Sequence, residues 1–393
     1  ALAPRASTTW FEAVSRMESP LTFERPDSLD TLPPTPGHRG VRLIAGISVL
    51  AGISVLAGIA VIAGIERSLT SAALAQVQPH GGEVQVNNFT TSAQRWPAVA
   101  ADSQGRFVVV WDSLGPDGSD SSVQGRRFSA DGVPLGPEFQ VNSFTTDYQR
   151  SADIATSGAG QFMVVWTSNL QDGSGFGIRG RVFDAGGSPL GPDFAVNSHT
   201  TDSQEDPAVT SDGQGNFIVV WHSMGQDGSG RSVHARRFDS SGANLGAEFQ
   251  VNTYTTGNQE RPDVASDTGG NFVITWQSDG SIGPDTSLAS SLVRYFDANG
   301  NPTLGPEFVV NTYSYDNQVF PAIAADDQDR FAVVWQSDGS QYSDHFATSI
   351  QGQRLDFQGG LGDEFQVNSY TTGGQFEPAV AAFASLSYVV SWN

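Results

Sequence analysis

From residue 81 onward, short apolar runs alternate with turn-forming residues, and no stretch has a helical period. In the first unit, Pro97-Ala98-Val99-Ala100-Ala101 leads into an Asp102-Ser103-Gln104-Gly105 turn. Phe107-Val108-Val109-Val110-Trp111 follows, rich in β-branched and aromatic residues. A polar loop separates it from Ser122-Val123-Gln124-Gly125-Arg126-Arg127-Phe128, and Asp131-Gly132 turns the chain into Pro137-Glu138-Phe139-Gln140-Val141-Asn142. Four strands per unit are predicted. The second is apolar on both faces, as a sheet covered on each side requires.

The unit recurs. Trp111, Trp166, Trp221, Trp276, Trp335 and Trp392 are spaced by 55, 55, 55, 59 and 57 residues. Val-Asn pairs ending at Asn87, Asn142, Asn197, Asn252, Asn311 and Asn368 keep those spacings, as do Gln94, Gln149, Gln204, Gln259, Gln318 and Gln375. Four antiparallel strands repeated about six times predict an all-β fold, a β-propeller of four-stranded blades. Immunoglobulin-like sandwiches would need about 100 residues each. Residues 83–87 read as an orphan outermost strand ahead of the first complete blade. The last unit reaches Asn393 after two predicted strands, so its blade is expected to be incomplete. A longer reading frame, or a strand donated by a partner, is expected to complete it.

Residues 43–65 break the pattern with 23 uncharged residues, long enough to cross a bilayer as a helix. Arg39 and Arg42 precede the run, and Ala73-Leu74-Ala75 offers a small-residue cleavage site. Residues 41–75 are therefore expected to be a signal peptide or an uncleaved anchor. Residues 1–40, without periodicity, read as a disordered or misassigned extension, and 76–393 as the propeller. The expected location is periplasmic, cell-surface or extracellular, with membrane contact only through 43–65 if that run is retained.

Charge follows the same boundary. Residues 1–75 hold six acids and six arginines; residues 76–393 hold the other 36 acids and 14 arginines, and hence the whole net charge of −22. Such a surface argues against nucleic acid and anionic lipid as partners. No cysteine is present, which excludes disulfides, thiolate metal sites and a thiol nucleophile.

One unit serves to place the repeat among known ones. Gln204-Glu205-Asp206-Pro207-Ala208-Val209, Gly215-Asn216-Phe217-Ile218-Val219-Val220-Trp221, Gln226-Asp227-Gly228-Ser229-Gly230, Arg236-Arg237-Phe238-Asp239 and Gly246-Ala247-Glu248-Phe249-Gln250-Val251-Asn252 form the set. Together they resemble repeats of secreted bacterial proteins, often very large calcium-binding adhesin-like ones. The resemblance spans residues 81–393 and implies a propeller in an extracellular setting, with no assigned reaction. Phe383-Ala384-Ser385-Leu386-Ser387 departs from it by lacking the Asp and Gly of the turn.

Candidate chemistry sits in the loops. Outermost-to-inner connections and second-to-third-strand connections emerge on one face of a propeller. There Asn142, Gln149, Asn197, Gln204, Asn252 and Gln259, beside Tyr254 and Tyr313, suit a glycan or protein ligand. The architectural reading is that these amides cap turns and bridge blades. Asp117, Asp120, Asp172, Asp227, Asp279 and Asp338, in Asp-Gly loops, are the candidate metal ligands. Calcium is the one cofactor they suggest, although most loops offer a single carboxylate where calcium takes six to eight oxygens. Asp153 and Asp263 replace an alanine of the inner strand and are expected to face the central channel, where two carboxylates are the set that glycoside chemistry uses. The sequence reading is an exported non-catalytic binding module. A calcium-stabilised lectin-like binder and a glycan-cleaving hydrolase are its alternatives.

Overall fold

The computed structural model describes residues 58–63, 83–280, 289–314, 316–339, 348–384 and 387–393. Among them every regular element is a strand. Blade 1 runs Gln94–Ala101, Phe107–Leu114, Ser121–Phe128 and Phe139–Gln140, antiparallel and in chain order. Blades 2, 3 and 4 repeat this order from inner strands Gln149–Thr156, Gln204–Ser211 and Gln259–Ser266. Blade 5 starts at Gln318–Ala325, and its third strand Thr348–Asp356 pairs with both Gly359–Gly360 and Phe365–Gln366. The predicted four-strand unit is what forms.

The core lies between blades. Val108, Val110, Val123 and Val141 of blade 1 pack on Ile154, Phe162 and Trp166 of blade 2, and equivalent clusters recur along the chain. Trp111, Trp166, Trp221, Trp276 and Trp335 are fully buried. Each such side chain contributes about 1.5–3 kcal/mol by leaving water. Inner strands pack on one another in order from blade 1 to blade 6.

Every inner strand of blades 1 to 5 has a bulge that sets two residues opposite one, between Arg95 and Ala98, Arg150 and Asp153, Glu205 and Ala208, Glu260 and Asp263, and Val319 and Ala322. The second residue after the repeated Gln takes a left-handed φ: Trp96 47°, Ser151 54°, Asp206 51°, Arg261 53°, Phe320 53° and Glu377 51°. Non-glycine residues rarely adopt that conformation. Its recurrence re-aims one side chain per blade.

Blade 6 departs from expectation. Its third strand is neither missing nor foreign: Gly58–Ala63 pairs antiparallel with Ser387–Trp392, from Gly58 opposite Trp392 to Ala63 opposite Ser387. Part of the run expected to be a membrane helix is thus a strand. Ile59, Val61 and Ile62 favour extended backbone as readily as they favour lipid, and an open sheet edge decides between the two. No helix among the described residues is long and apolar enough to cross a membrane. The remaining readings for 1–57 and 64–82, including the cleavage site, lie outside the described residues.

Residues 83–89 occupy an outermost-strand position against blade 1. The Arg126 Nη1 donates to Val86 O, as Arg181 does to Val141 O and Arg236 to Val196 O. The Asn88 N–H donates to Glu138, as that of Ser143 does to Asp193 and that of Ser198 to Glu248.

Candidate active site at the inner rim

The repeated polar residues are consumed by the fold. Asn142 Oδ1 accepts from Val123 N–H and its Nδ2 donates to Phe144 O; Asn197 and Asn252 do the same in their blades. Gln149 Oε1 accepts from the Trp166 indole at 3.1 Å, while its Nε2 donates to Thr146 O. Gln259 serves Trp276 likewise, and Gln204 accepts from Asn197 Nδ2 instead. All six amides are buried. They are placed inside the blades, not on a ligand face. Tyr254 and Tyr313 are half-buried, their hydroxyls lying against Gly280 and Gly339.

The candidate metal ligands close turns. Asp117, Asp172 and Asp227 each accept from the N–H two residues on, and Asp279 and Asp338 accept from Asn258 and Asn317. Asp120 is exposed in the same loop as Asp117. Among the described residues, no three His, Asp or Glu side chains gather as a metal site.

Chemistry concentrates where the repeats disagree. The two residues after each repeated Gln are Arg95-Trp96, Arg150-Ser151, Glu205-Asp206, Glu260-Arg261, Val319-Phe320 and Phe376-Glu377. Strand register sets Asp112 opposite Arg95, Thr167 opposite Arg150, His222 opposite Glu205 and Gln277 opposite Glu260. One end of the inner strands therefore carries a rim of unlike charged and aromatic side chains, aimed by the bulge.

These side chains form one electrostatic cluster. Asp112 is buried; its Oδ2 accepts from Ser151 N–H at 3.0 Å, and its Oδ1 has no hydrogen-bond partner. Burial pushes its pKa up to about 7, against the N–H groups of Ser151 and Ala152 and the charges of Arg150 and Arg95. Arg150 also faces Glu205 at 3.6 Å, yet burial still leaves Glu205 raised. The next carboxylate, Asp206, stands 3.8 Å from His222 Nδ1. Burial holds that imidazole neutral, with its pKa lowered to about 4. Arg231 pairs with Glu260 at 2.6 Å, and Arg261 stacks on Phe320 at 4.2 Å. Trp96 is 56% exposed.

Asp153 and Asp263 lie deeper on the same inner strands. Asp153 Oδ2 accepts from Val209 N–H in blade 3, and Asp263 Oδ2 from Ile323 N–H in blade 5, both at 2.8 Å. Burial raises their pKa values to about 7 and about 6, and the charge of Asp263 raises Asp153 further. Each carboxylate ties one inner strand to the next. Their strongest role is architectural.

No protein-family model matches this chain, and no curated protein sequence matches it. Solved structures do. A protein of unknown function from Dyadobacter fermentans is similar at a TM-score of 0.51 and 12% identity, covering 76% of this chain and 94% of that one. The α-L-arabinofuranosidase Arb93a of Fusarium graminearum, in complex with an iminosugar inhibitor, is similar at a TM-score of 0.50 and 11% identity, covering 76% and 92%. A thermostable family-43 glycoside hydrolase is similar at a TM-score of 0.41 and 12% identity, covering 70% and 93%. The likeness is one of fold, and it places the chain with propeller-like all-β proteins. The reading as a non-catalytic binder is corrected here: the amides assigned to its binding face are internal, and a solved structure of similar fold is that of an α-L-arabinofuranosidase.

Proposed function

We propose that this chain is a glycan-cleaving hydrolase with its active site at the inner rim. The observation that carries the reading is Arg150, which faces Glu205 at 3.6 Å and whose charge also acts on the buried Asp112, two carboxyls raised by burial. Glycoside hydrolysis uses a carboxylic acid to protonate the leaving oxygen and a carboxylate as base or nucleophile. Asp112, with a pKa of about 7, keeps its proton at mildly acidic pH and acts as the acid. Glu205, held by Arg150, acts as the carboxylate. Arg150 positions Glu205, and the exposed Trp96 indole supplies a flat apolar face for a sugar ring.

The reading includes a closed six-bladed ring. Gly58–Ala63 alongside Ser387–Trp392 and residues 83–89 latched to Arg126 and Glu138 support a composite last blade, built from both ends of the described chain. Closure would cover Val99, which is 43% exposed although its counterparts Ile154 and Val264 are 5% exposed against a neighbouring blade. It would also bring Trp96 to face Glu377 across the rim.

Aryl arabinofuranosides and arabinan head the substrate panel because the arabinofuranosidase shares the fold; other neutral and acidic glycans complete it. Release of reducing ends by the wild-type chain, lost in the Asp112→Asn and Glu205→Gln variants with unchanged circular dichroism, is the expected result. Release that survives both substitutions would place the chemistry elsewhere.

A further inference from the structure

Blades 1 to 4 share an internal plug that blade 5 lacks. In the third strand of each, an arginine two residues before a phenylalanine lays its guanidinium over that ring: Arg126 on Phe128, Arg181 on Phe183, Arg236 on Phe238 and Arg294 on Phe296, at 5.5–5.9 Å. The same guanidinium donates to a valine carbonyl in the outermost strand before it: Val86, Val141, Val196 and Val251 in turn. The plug therefore fills the groove between neighbouring blades with one cation and one ring.

In blade 5 those two positions are Gln353 and Leu355, and the carbonyl awaiting a donor is that of Val310. Gln353 turns back on its own hairpin instead, its Nε2 donating to Gly362 O at 2.8 Å. Phe357 recovers the ring contact alone, packing edge-on against Phe331 at 5.4 Å. The guanidinium's place is left as a cavity of about 640 Å³ between blades 4 and 5, lined by Phe308, Val310, Gln353, Leu355, Asp363 and Glu364 among others. That volume suits a small ligand.

The lining selects for a cation. Two of its residues are acids and none is basic. Gln353 is 7% exposed, and its Oε1 is buried without a hydrogen-bond partner. An unmet buried acceptor is destabilising, and a donor in the cavity would recover that loss. Phe308 offers a ring face and Val310 the carbonyl that an arginine reaches in the other blades.

We infer that this cavity is a second binding site, independent of the inner rim, and that it takes a guanidinium group in place of the missing arginine. Free arginine and an arginine side chain of another protein present the same group, and titration separates them. Calorimetric titration of the full chain would use L-arginine, the capped peptide acetyl-Gly-Arg-Gly-amide, and citrulline as the neutral isostere. Binding of at least one arginine probe, with citrulline weaker by about tenfold or more, is expected, since a charge-assisted hydrogen bond supplies that factor. A preference for the peptide marks a protein side chain as the occupant; a preference for the amino acid marks a small molecule. The Gln353→Arg substitution should refill the groove, abolish binding and raise the melting temperature. Asp363→Asn, at an exposed position that leaves folding alone, should weaken binding severalfold. Equal binding of arginine and citrulline, absence of binding by both arginine probes, or arginine binding that survives Gln353→Arg would each overturn the inference.

Discussion

Asp112, Asp153 and Asp263 share a property that sets how the molecule responds to pH. Their pKa values stand at about 7, about 7 and about 6, against an ordinary value of 3.8. Between those limits the folded chain holds up to three protons that the unfolded chain releases, so these groups lower stability as pH rises. His222 and His234, lowered to about 4 from 6.5, act with the opposite sign across pH 4–6.5. About one proton in excess remains between pH 5 and 6.5, so stability should fall with rising pH by up to about 1.4 kcal/mol per unit, easing above pH 7 as the last of these carboxyls ionise. Replacing both Asp153 and Asp263 with Asn keeps an acceptor for Val209 and Ile323 while removing two titrations. Denaturant unfolding at pH 5, 6 and 7 should then show the slope reversed up to pH 6.5. An unchanged slope would mean these carboxyls are not buried as described.

The same residues show what a sequence discloses about a repeat protein. Asn142 and Gln149 drew notice because they recur, and they recur because a tryptophan indole and a turn need them. Asp112 and His222 occupy positions filled differently in the other units, and Glu205 shares its own only with Glu260. The usable signal was disagreement between repeats next to the constant Gln and Trp. Burial and the Arg150 charge, which give these residues their chemistry, depend on neighbouring blades and cannot be read from one unit.

At the scale of elements, strand type and order follow from turn chemistry and β-branched runs, and they form as expected. The strand Gly58–Ala63 does not announce itself, because an uncharged apolar run carries the same composition in lipid as against a sheet edge. Its presence in blade 6 and cleavage after Ala75 exclude one another. A chain lacking residues 1–75 should melt at a lower temperature than the full chain. Equal melting temperatures would show that this strand contributes nothing to blade 6. Between blades, a carboxylate latch recurs: Glu307, 3% exposed, accepts from Thr253 N–H, Thr253 Oγ1 and Tyr254 N–H. Glu307→Ala should cost about 3 kcal/mol in denaturant unfolding, as expected when several hydrogen bonds to a buried charge are lost. A cost below about 1 kcal/mol would make the latch incidental.

For the whole molecule, the all-β class and the four-strand unit were legible. The inner rim was not, because it exists only once inner strands from several blades stand side by side. A repeated scaffold supplies rigid positions, and the six left-handed residues after the constant Gln let each blade present a different side chain there. Chemistry can vary at that ring while the blade core stays constant. The arrangement favours one assignment of roles, with Asp112 as proton donor and Glu205 as its carboxylate partner.

The most direct test of that assignment is the rate of glycosidic-bond cleavage by wild-type chain and by Asp112→Asn, measured from pH 5 to 8 on the panel's best substrate. Wild-type activity should decline through pH 7 as Asp112 loses its proton, and the variant should lose about 10²–10⁴-fold. Wild-type cleavage with no fall near pH 7, or a variant as fast as wild type, would contradict that assignment.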